Sequence, residues 1–438
     1  MHVFFDTETY TFRPGLMAPP IVCVQWAVED GRAFLMTKRG ELAEEAGSLS
    51  GPTSNTFSSL LAYWLNQGAT LVGHHVAYDL ACFCAQDSAL VQPVFRAYRE
   101  NRVTDTMLRQ QLADIGRGRH RGFYNGPVWI QMNYNLGDVG SRHGFKVDKA
   151  DPWRMHYALL DDVRLSEWPD FRATVPDLSK GAAPGSFVTL HGDAAIKYAL
   201  DDVHATRASF KGQAERYHPD LLCDEFFQAR KFWSLDLAAT WGLRTSLRGV
   251  QSLEKGAKER LTELEAMLGE PWAVVVLPDM ANVLGRQWFD QLRAMYPSKP
   301  KKPGLQVRPS PDGMIVAGPP LVRKDGSRDT KSAQALMRVV CESERLTLRL
   351  TKNNGICLDS DACKGTGHPL LEAYAEASSM KKVLTNDVAA LKRGVIVPIH
   401  THFGMADTGR VTSANPNTMN PRRLAGVREC YVPRGFSA

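Results

Sequence analysis

The sequence has no long hydrophobic run and no secretory signal. An uninterrupted apolar stretch of about 18 residues, as a membrane-spanning helix requires, is absent from the 438-residue chain. The N-terminus leads directly into HVFFDTET, without the charged start, apolar core and cleavage site of a signal peptide. We therefore expect no membrane partner and no secretion, and we predict a cytoplasmic location.

Closely spaced cysteine pairs are also missing. The chain has eight cysteines, but they are scattered and no Cys-x-x-Cys pair occurs. Cys82 and Cys84 are too close in sequence for a usual zinc knuckle. All eight are therefore predicted to be reduced thiols, which is typical of a cytosolic protein.

The remaining composition is that of an ordinary globular protein. Hydrophobic residues make up 44% of the chain and charged residues 23%. A length of 438 residues allows two or three domains, each with its own core. The net charge of +6 permits a polyanionic partner without requiring one.

The first half of the chain has the pattern of a mixed α/β fold. Three strand-like runs, HVFFD, IVCVQWAVE and RAFLMT, are rich in Val, Phe and Trp and are bounded by Gly, Pro and charged residues. FSSLLAYWLNQ predicts a helix, TLVGHH predicts another strand, and a second helix is predicted to begin at Val76. This order predicts a mixed sheet flanked by helices, in a unit that ends near Tyr217.

Helical patterns dominate from Phe226. In GVQSLEKGAKERLTELEAML, apolar residues recur three or four apart on one face: Val250, Leu253, Ala257, Leu261, Leu264 and Leu268. Between Tyr296 and Asp312, five prolines alternate with basic residues, which predicts an extended surface loop. Helices are predicted to resume near Asp329 and Pro369.

Four acidic side chains and one tyrosine are the candidate catalytic residues. Asp6 and Glu8 are two residues apart at the end of the first predicted strand, so their carboxylates leave the same face. Asp79 lies just inside a predicted helix. Tyr198 and Asp202 are four residues apart and share one face of a helix, and Asp201 is an alternative to Asp202.

Such a set of carboxylates points to divalent metal ions. Four acids in one pocket repel each other and titrate as a coupled set. Divalent cations relieve that repulsion, and carboxylate oxygens suit the hard ions Mg²⁺ and Mn²⁺. Two such ions about 4 Å apart activate a water and stabilise the leaving 3′ oxygen in phosphodiester hydrolysis. A tyrosine hydroxyl beside them can orient the attacking water.

The motifs resemble those of the DEDD family of 3′→5′ exonucleases, in the subclass with a tyrosine in the third motif. FDTET resembles the first motif, GHHVAYDL the second and YALDD the third. The resemblance implies a ribonuclease H-like fold and four ligands for two Mg²⁺ or Mn²⁺ ions: Asp6, Glu8, Asp79 and Asp202. It also implies that Tyr198 positions the attacking water.

One position departs from the family pattern. The second motif commonly has His-Asn before its apolar pair, where this sequence has His74-His75. A histidine side chain cannot replace both the donor and the acceptor of an amide. The contacts with the substrate strand are therefore expected to differ, although Asp79 stays in register.

A polar segment close to the C-terminus resembles family A DNA polymerases. ADTGRVTSANPNTMNPRR, followed by VRECYVP, is similar to the stretch of those enzymes that enters the palm and follows the primer-template duplex. Arginines and exposed backbone amides suit phosphate oxygens. The DNA-contacting residues implied by this resemblance are Thr408, Arg410, Asn415, Asn417 and Arg428.

The same resemblance implies three domains. FWSLDLAATWGLRTS and LLEAYAEASSMKKVLTNDV resemble helices that join the exonuclease to the thumb and form the thumb, where Lys381 and Lys382 would approach the duplex. We predict an exonuclease domain over 1–217, connecting helices and thumb over 218–400, and the start of a palm over 401–438. The predicted class is α/β, with a mainly helical thumb region after the first domain.

The catalytic motifs of a polymerase are not found. A fingers-helix lysine and two palm aspartates are missing, so we expect no nucleotide addition by this chain alone. The chain is predicted to be the N-terminal subunit of a split polymerase, whose partner carries palm and fingers, or else a fragment. Its predicted role is proofreading of single-stranded 3′ ends in DNA replication, with the primer-template duplex held at the thumb. The resemblance suggests a bacteriophage source and hence the bacterial host cytoplasm.

Three alternatives stay open. The first is an RNA-trimming exonuclease of the same fold. The second is a catalytically weak DNA-binding or assembly subunit, for which His75 is the supporting feature. In the third, the acids are scattered surface charges of a globular protein. Relative degradation of RNA and DNA, and metal binding compared with duplex affinity, distinguish these possibilities.

Overall fold

The computed structural model describes residues 1–38, 40, 42–44, 49–50, 55–147, 187–295, 297–298, 304–421 and 426–433, without the side chains of 49–50 and 187–195. The first of two compact units comprises Met1–Leu243 and Val397–Pro421, and the second comprises Arg244–Ile396 and Arg422–Ala438. Among the described residues, no helix is both long and apolar enough to cross a membrane. All eight cysteines are described, and none forms a disulfide.

A seven-stranded mixed sheet forms the centre of the first unit. Its strands are β1 (His2–Thr9), β2 (Ile21–Val28), β3 (Ala33–Thr37), β4 (Leu42–Glu44), β5 (Leu49–Ser50), β6 (Thr70–Gly73) and β7 (Val103–Asp105). They lie in the order β5-β4-β3-β2-β1-β6-β7. Because β1 is antiparallel to β2 and parallel to β6, the antiparallel and parallel parts of the sheet meet at β1.

The helices of the first unit lie between and after these strands. They are α1 (Phe57–Asn66), α2 (Val76–Gln86), α3 (Val91–Arg99), α4 (Thr106–Gly116), α5 (Leu136–Arg142), α6 (Phe187–Arg216) and α7 (Glu225–Trp241). Short 3-10 turns span Ser88–Leu90 and Pro219–Leu222. A separate hairpin of β8 (Gly122–Asn125) and β9 (Val128–Gln131) stands between α4 and α5.

Successive side chains of β1 point alternately into two hydrophobic cores, one on each face of the sheet. Val3 and Phe5 contribute to a core that α1, α2, α3 and α7 share, whereas Phe4 belongs to a core formed with α6. The sheet is therefore covered by helices on both faces, which explains why its central strands contain so few charged residues. The predicted mixed α/β organisation is confirmed.

The second unit combines helices with a small sheet. Its elements are β10 (Arg244–Thr245), α8 (Leu247–Leu268), β11 (Trp272–Val276), α9 (Pro278–Met295), β12 (Gln306–Ser310), β13 (Gly313–Gly318), α10 (Thr330–Ser343), α11 (Ser360–Lys364), α12 (Pro369–Lys382) and α13 (Val388–Ile396). A π-helical turn, Val383–Asp387, joins α12 to α13. The predicted apolar face of α8 is confirmed, since five of its six residues are buried and Leu261 is partly buried.

The predicted loop between Tyr296 and Asp312 is wrong for part of its length. Residues Gln306–Ser310 form β12, which pairs with β13 at the edge of a three-stranded sheet. An edge strand tolerates Pro309 because only one side of the strand needs ladder hydrogen bonds. The basic stretch around Lys301 lies outside the described residues.

The last part of the chain is divided between the two units. A hairpin of β14 (His402–Met405) and β15 (Val411–Ala414) belongs to the first unit. A 3-10 turn, Arg428–Cys430, and β16 (Tyr431–Val432), which pairs with β10, belong to the second. The first unit thus extends past the predicted boundary after residue 217 to Leu243, and the segment 401–438 contributes to both units.

Candidate metal centre

Asp6 and Glu8 lie at the C-terminal end of β1, on one face of the sheet. Asp6 is opposite Gln25 of β2, and Glu8 is opposite Cys23, just before the register shifts between Glu8 and Thr9. Gln25 is fully buried, and its Nε2 donates a hydrogen bond to Asp6 Oδ2 over 2.8 Å. The amide therefore orients the Asp6 carboxylate.

Helix α6 brings a third carboxylate to this pair. Carboxylate oxygens of Asp6, Glu8 and Asp202 all lie within 4.8 Å of one another. Asp202 is 7% exposed, and the other two are half-buried. The neighbouring Asp201 instead accepts a hydrogen bond of 2.5 Å from Lys197 one helical turn earlier. Of the two alternatives that the sequence offered, Asp202 is the one that joins the cluster.

Three carboxylates at this separation form an oxygen-rich, negatively charged site. Their mutual repulsion is strong in a partly buried position, because the surrounding protein screens less than water does. A divalent cation removes that repulsion, and an all-oxygen donor set suits Mg²⁺ or Mn²⁺ better than metals that favour sulfur or nitrogen. The residues present therefore fit the metal ions expected from the sequence.

Asp79, the fourth candidate ligand, is not one of the clustered carboxylates. It lies in the first turn of α2, is 3% exposed, and accepts a hydrogen bond of 2.5 Å from Thr7 Oγ1. Thr7 lies between Asp6 and Glu8, and its side chain leaves the opposite face of β1. Burial raises the pKa of Asp79 to about 8, although the hydrogen bonds from Thr7 lower it.

Two further aspartates lie near Asp79. Asp105, at the end of β7, and Asp236, on α7, both raise the pKa of Asp79 through their negative charge. Burial raises the pKa of both as well. Asp105 accepts backbone N–H groups from His75, Val76, Met107 and Leu108 over 2.8–3.2 Å, so it is a structural acceptor.

The two histidines of the second motif have different environments. His74 bridges Thr106 Oγ1 and the Tyr134 carbonyl, each over 2.9 Å. His75 has a left-handed backbone (φ 61°), and its side chain is 52% exposed. Its Nε2 lies 3.9 Å from Asp236 Oδ1. The residue that departs from the family pattern is thus the one that faces solvent.

Tyr198 lies on α6, one turn before Asp202. Its side chain is 5% exposed and belongs to the hydrophobic core that includes Phe4 and Val72. The same helix therefore presents a buried tyrosine and a carboxylate toward β1, as the spacing of four residues requires. Its role in positioning water stays a prediction.

Four of the predicted DNA-contacting residues lie on the β14–β15 hairpin and the turn after it. Thr408, Arg410, Asn415 and Asn417 are all exposed. The loop between the strands is fixed by Lys231, whose Nζ donates to the Gly409 carbonyl over 3.1 Å. The Asn417 side-chain oxygen accepts from Ser413 Oγ over 2.8 Å and from the Asn420 backbone over 3.1 Å, so this side chain stabilises the turn.

The remaining three predicted DNA-contacting residues lie in the second unit. Arg428 and Lys382 are exposed. Lys381 is half-buried, forms an ion pair of 2.7 Å with Glu265 and donates to the Gly326 carbonyl over 2.6 Å. Lys381 therefore connects α12 to α8 within the second unit, and its charge is partly compensated.

Comparison with known proteins finds similarity to solved structures. No protein-family model matches the chain, and no curated protein matches it. Among solved structures, the chain is similar to the POL domain of Pol1 from M. smegmatis in complex with DNA primer-template and dNTP, with 13% sequence identity and a TM-score of 0.48. The similarity covers 98% of this chain and 54% of that chain, so this chain spans about half of its length. At this identity and TM-score, the similarity assigns the chain neither a family nor a function.

Sequence reasoning missed three polar residues: Gln25, which contacts Asp6, and Asp105 and Asp236, which lie near Asp79. The role of Asp105 could have been predicted, because an aspartate directly before Thr106-Met107-Leu108 is a typical helix N-cap. The roles of Gln25 and Asp236 have no local sequence pattern, since each residue acts through a partner that is distant in sequence.

Proposed function

We propose that the chain is a 3′→5′ exonuclease that hydrolyses terminal phosphodiester bonds with two Mg²⁺ or Mn²⁺ ions. One observation carries the proposal: oxygens of Asp6, Glu8 and Asp202 meet within 4.8 Å, although Asp202 is almost two hundred residues away from the other two. Scattered surface acids would have no reason to converge. The motif resemblance supports a ribonuclease H-like exonuclease domain and gives the direction of digestion.

In this proposal, Asp6, Glu8 and Asp202 hold the cations. The bound ions supply an activated water and stabilise the leaving 3′ oxygen. Gln25 orients Asp6 through its 2.8 Å hydrogen bond. Thr7 donates a hydrogen bond to Asp79, the fourth carboxylate of the motif set, from the face of β1 opposite to Asp6 and Glu8. Tyr198 is the candidate for holding the attacking water.

The exposed polar residues near the C-terminus are proposed to contact the DNA backbone. Thr408, Arg410 and Asn415 present side chains to solvent without a hydrophobic role, which suits sequence-independent phosphate contacts. Asn417 and Arg428 complete the set implied by the family A resemblance. Lys382 is proposed to contribute a phosphate contact from the second unit, and Lys381 a weaker one because it is paired with Glu265.

The decisive experiment compares two adjacent aspartates. Wild-type protein is incubated with 5′-labelled single-stranded DNA and Mg²⁺ or Mn²⁺, and we expect stepwise shortening from the 3′ end with release of mononucleotides. Asp202→Asn should lower the rate by several orders of magnitude, since it removes a cation ligand. Asp201→Asn, which loses only the contact with Lys197, should stay within about twofold of wild type. The proposal fails if the wild-type protein releases no nucleotides, or if the two variants behave alike.

A catalytically weak DNA-binding subunit is the second candidate. It is favoured by the position of Asp79, whose carboxylate is bonded to Thr7 and lies outside the cluster of three. This candidate predicts normal duplex affinity together with no Mn²⁺ binding. Isothermal titration with Mn²⁺ and a duplex-binding measurement on the same preparation separate the two. An exoribonuclease of the same fold would instead degrade RNA at least as fast as DNA.

We further propose that a partner protein with palm and fingers completes a family A polymerase. The proposal rests on the resemblance of residues 408–417 and Arg428 to the palm entrance of those enzymes. The chain alone should not extend a primer on a template with four deoxynucleoside triphosphates. Primer extension by the purified chain would contradict it.

A further inference from the structure

The β8–β9 hairpin carries exposed aromatic side chains. Tyr124 is 71% exposed and Trp129 is 49% exposed, and the two are directly opposite in the strand register. Their ring centroids are 4.9 Å apart in an edge-to-face arrangement. The hairpin is a sheet of its own, with no third strand among the described residues. It therefore presents a pair of aromatic rings to solvent.

Trp129 is held in place although it is exposed. Its ring lies over Gly122, where an added Cβ would come within 2.4 Å of the ring, and Gly122 has a positive φ of 153°. The indole Nε1 donates a hydrogen bond of 3.3 Å to Gln131 Oε1. Because the Trp129 ring is already packed against Gly122, it loses little conformational entropy when a flat partner stacks on its exposed face.

The opposite face of the hairpin borders a cleft rich in arginine. Phe123 and Ile130 line this cleft, which has a volume of 480 Å³. Four arginines and two aspartates also line it: Arg117, Arg119, Arg142, Arg216, Asp114 and Asp138. Asp114 is buried and paired with Arg142 over 3.0 Å, so the cleft keeps an excess of positive charge.

Three arginines of the cleft have no carboxylate partner in the described part of the chain: Arg117, Arg119 and Arg216, the last of which donates to the Arg142 carbonyl over 2.7 Å. The guanidinium carbon of Arg119 lies 4.7 Å from the ring centroid of Phe123, and that of Arg117 lies 5.6 Å from the ring centroid of Tyr217. Stacking on rings fixes the guanidinium planes and leaves their N–H edges available to an anion.

We propose that this hairpin and its cleft bind single-stranded nucleic acid, with bases stacking on Tyr124 and Trp129 and phosphates contacting Arg117 and Arg119. The aromatic pair on one face of the hairpin and the basic cleft on the other supply the two kinds of contact, base stacking and phosphate binding, by which proteins hold unpaired strands without sequence preference. The excess positive charge favours this occupant over an apolar protein partner. The site is separate from the acidic centre, and the proposal holds whether or not that centre hydrolyses DNA.

The experiment measures affinity for a strand without hydrolysis. Full-length protein is titrated into fluorescein-labelled oligo-dT in EDTA, and circular single-stranded DNA, which has no 3′ end, serves as competitor. Tyr124→Ala/Trp129→Ala should weaken binding at least about fivefold, as expected for the loss of stacked bases. Arg117→Gln/Arg119→Gln should make the logarithmic salt dependence shallower by roughly 1.4 if both phosphate contacts are lost.

Two controls match these variants. Tyr63→Ala removes another exposed aromatic residue of the first unit, and Arg96→Gln/Arg99→Gln removes two exposed arginines of α3. Both should bind oligo-dT as wild type does, and all variants should keep the wild-type circular dichroism spectrum. Unchanged affinity of the hairpin variants, or equal loss in the controls, would overturn the proposal. Nuclease activity measured on the same variants with Mg²⁺ reports separately on the acidic centre.

Discussion

At the scale of single residues, a neutral amide orients the Asp6 carboxylate. Gln25 is fully buried and donates to Asp6 Oδ2 from the adjacent strand. A lysine or arginine at this position would neutralise the carboxylate, whereas an amide orients it and preserves its charge for a cation. The buried polar residue beside the centre is therefore consistent with a metal ligand rather than a structural ion pair.

We predict that Gln25→Leu lowers Mn²⁺ affinity about tenfold, the usual cost of losing a partner that orients a metal ligand. The leucine has a similar volume and lacks the donor, so Asp6 loses its fixed rotamer while the fold is retained. Isothermal titration with Mn²⁺ measures the effect. Gln228→Leu, at another buried glutamine of the first unit, serves as the control. Equal affinities of Gln25→Leu and wild type would show that the hydrogen bond does not orient a ligand.

At the scale of elements, Asp105 joins the start of α2 to the start of α4. Its carboxylate caps α4 through Met107 and Leu108, and it accepts the N–H groups of His75 and Val76 at the start of α2. The left-handed turn at His75 is thus stabilised from a different strand. Since Asp79 lies in the first turn of α2, Asp105 fixes the helix that carries the fourth carboxylate.

Asp105→Ala should destabilise the first unit by about 2–4 kcal/mol, because one cap is lost and buried N–H groups are left without an acceptor. Asp105→Asn should cost less, since its oxygen still accepts while its NH₂ group faces the Val76 N–H. Urea denaturation measures both free energies of unfolding.

Asp87→Ala is the matched control. Asp87 caps a 3-10 turn through the Ala89 N–H alone, and its loss should cost under about 1 kcal/mol. Similar losses for Asp87→Ala and Asp105→Ala would refute the proposed function of Asp105.

The sequence predicts helices and strands correctly where the local pattern of residues determines them. The runs HVFFD and IVCVQWAVE become β1 and β2, and the apolar spacing in GVQSLEKGAKERLTELEAML becomes α8. The 122–131 hairpin also has a local signal, the turn dipeptide Gly126-Pro127, whose glycine has a positive φ of 60°. In contrast, the hydrogen bond from Thr7 to Asp79 joins residues 72 positions apart, and no local pattern encodes such a contact.

At the scale of the whole molecule, the chain leaves the first unit and returns to it. Residues 397–421 add a hairpin to the unit that begins at Met1, and Phe403 and Met405 pack against its core. Sequence patterns could not reveal this return, because a hairpin after α13 has the same local pattern whichever core it joins. The linear domain boundaries drawn from the sequence therefore differ from the units that the structure forms.

Separate cores lead to a prediction about metal-linked stability. The acidic centre belongs to the first unit, whereas Leu336 is fully buried in the core of the second. Mn²⁺ at one hundred times its dissociation constant should stabilise the first unit by about 2.7 kcal/mol, because only the folded centre binds the ion.

Two variants test whether this effect is confined to the first unit. Leu336→Ala should lower the stability of the second unit by about 2–5 kcal/mol through the cavity it leaves, with wild-type Mn²⁺ affinity. Asp202→Asn should abolish the Mn²⁺ effect and leave the second unit unchanged. Differential scanning calorimetry of the three proteins with and without Mn²⁺ tests both statements, and a Mn²⁺ shift that persists in Asp202→Asn would place the bound metal elsewhere.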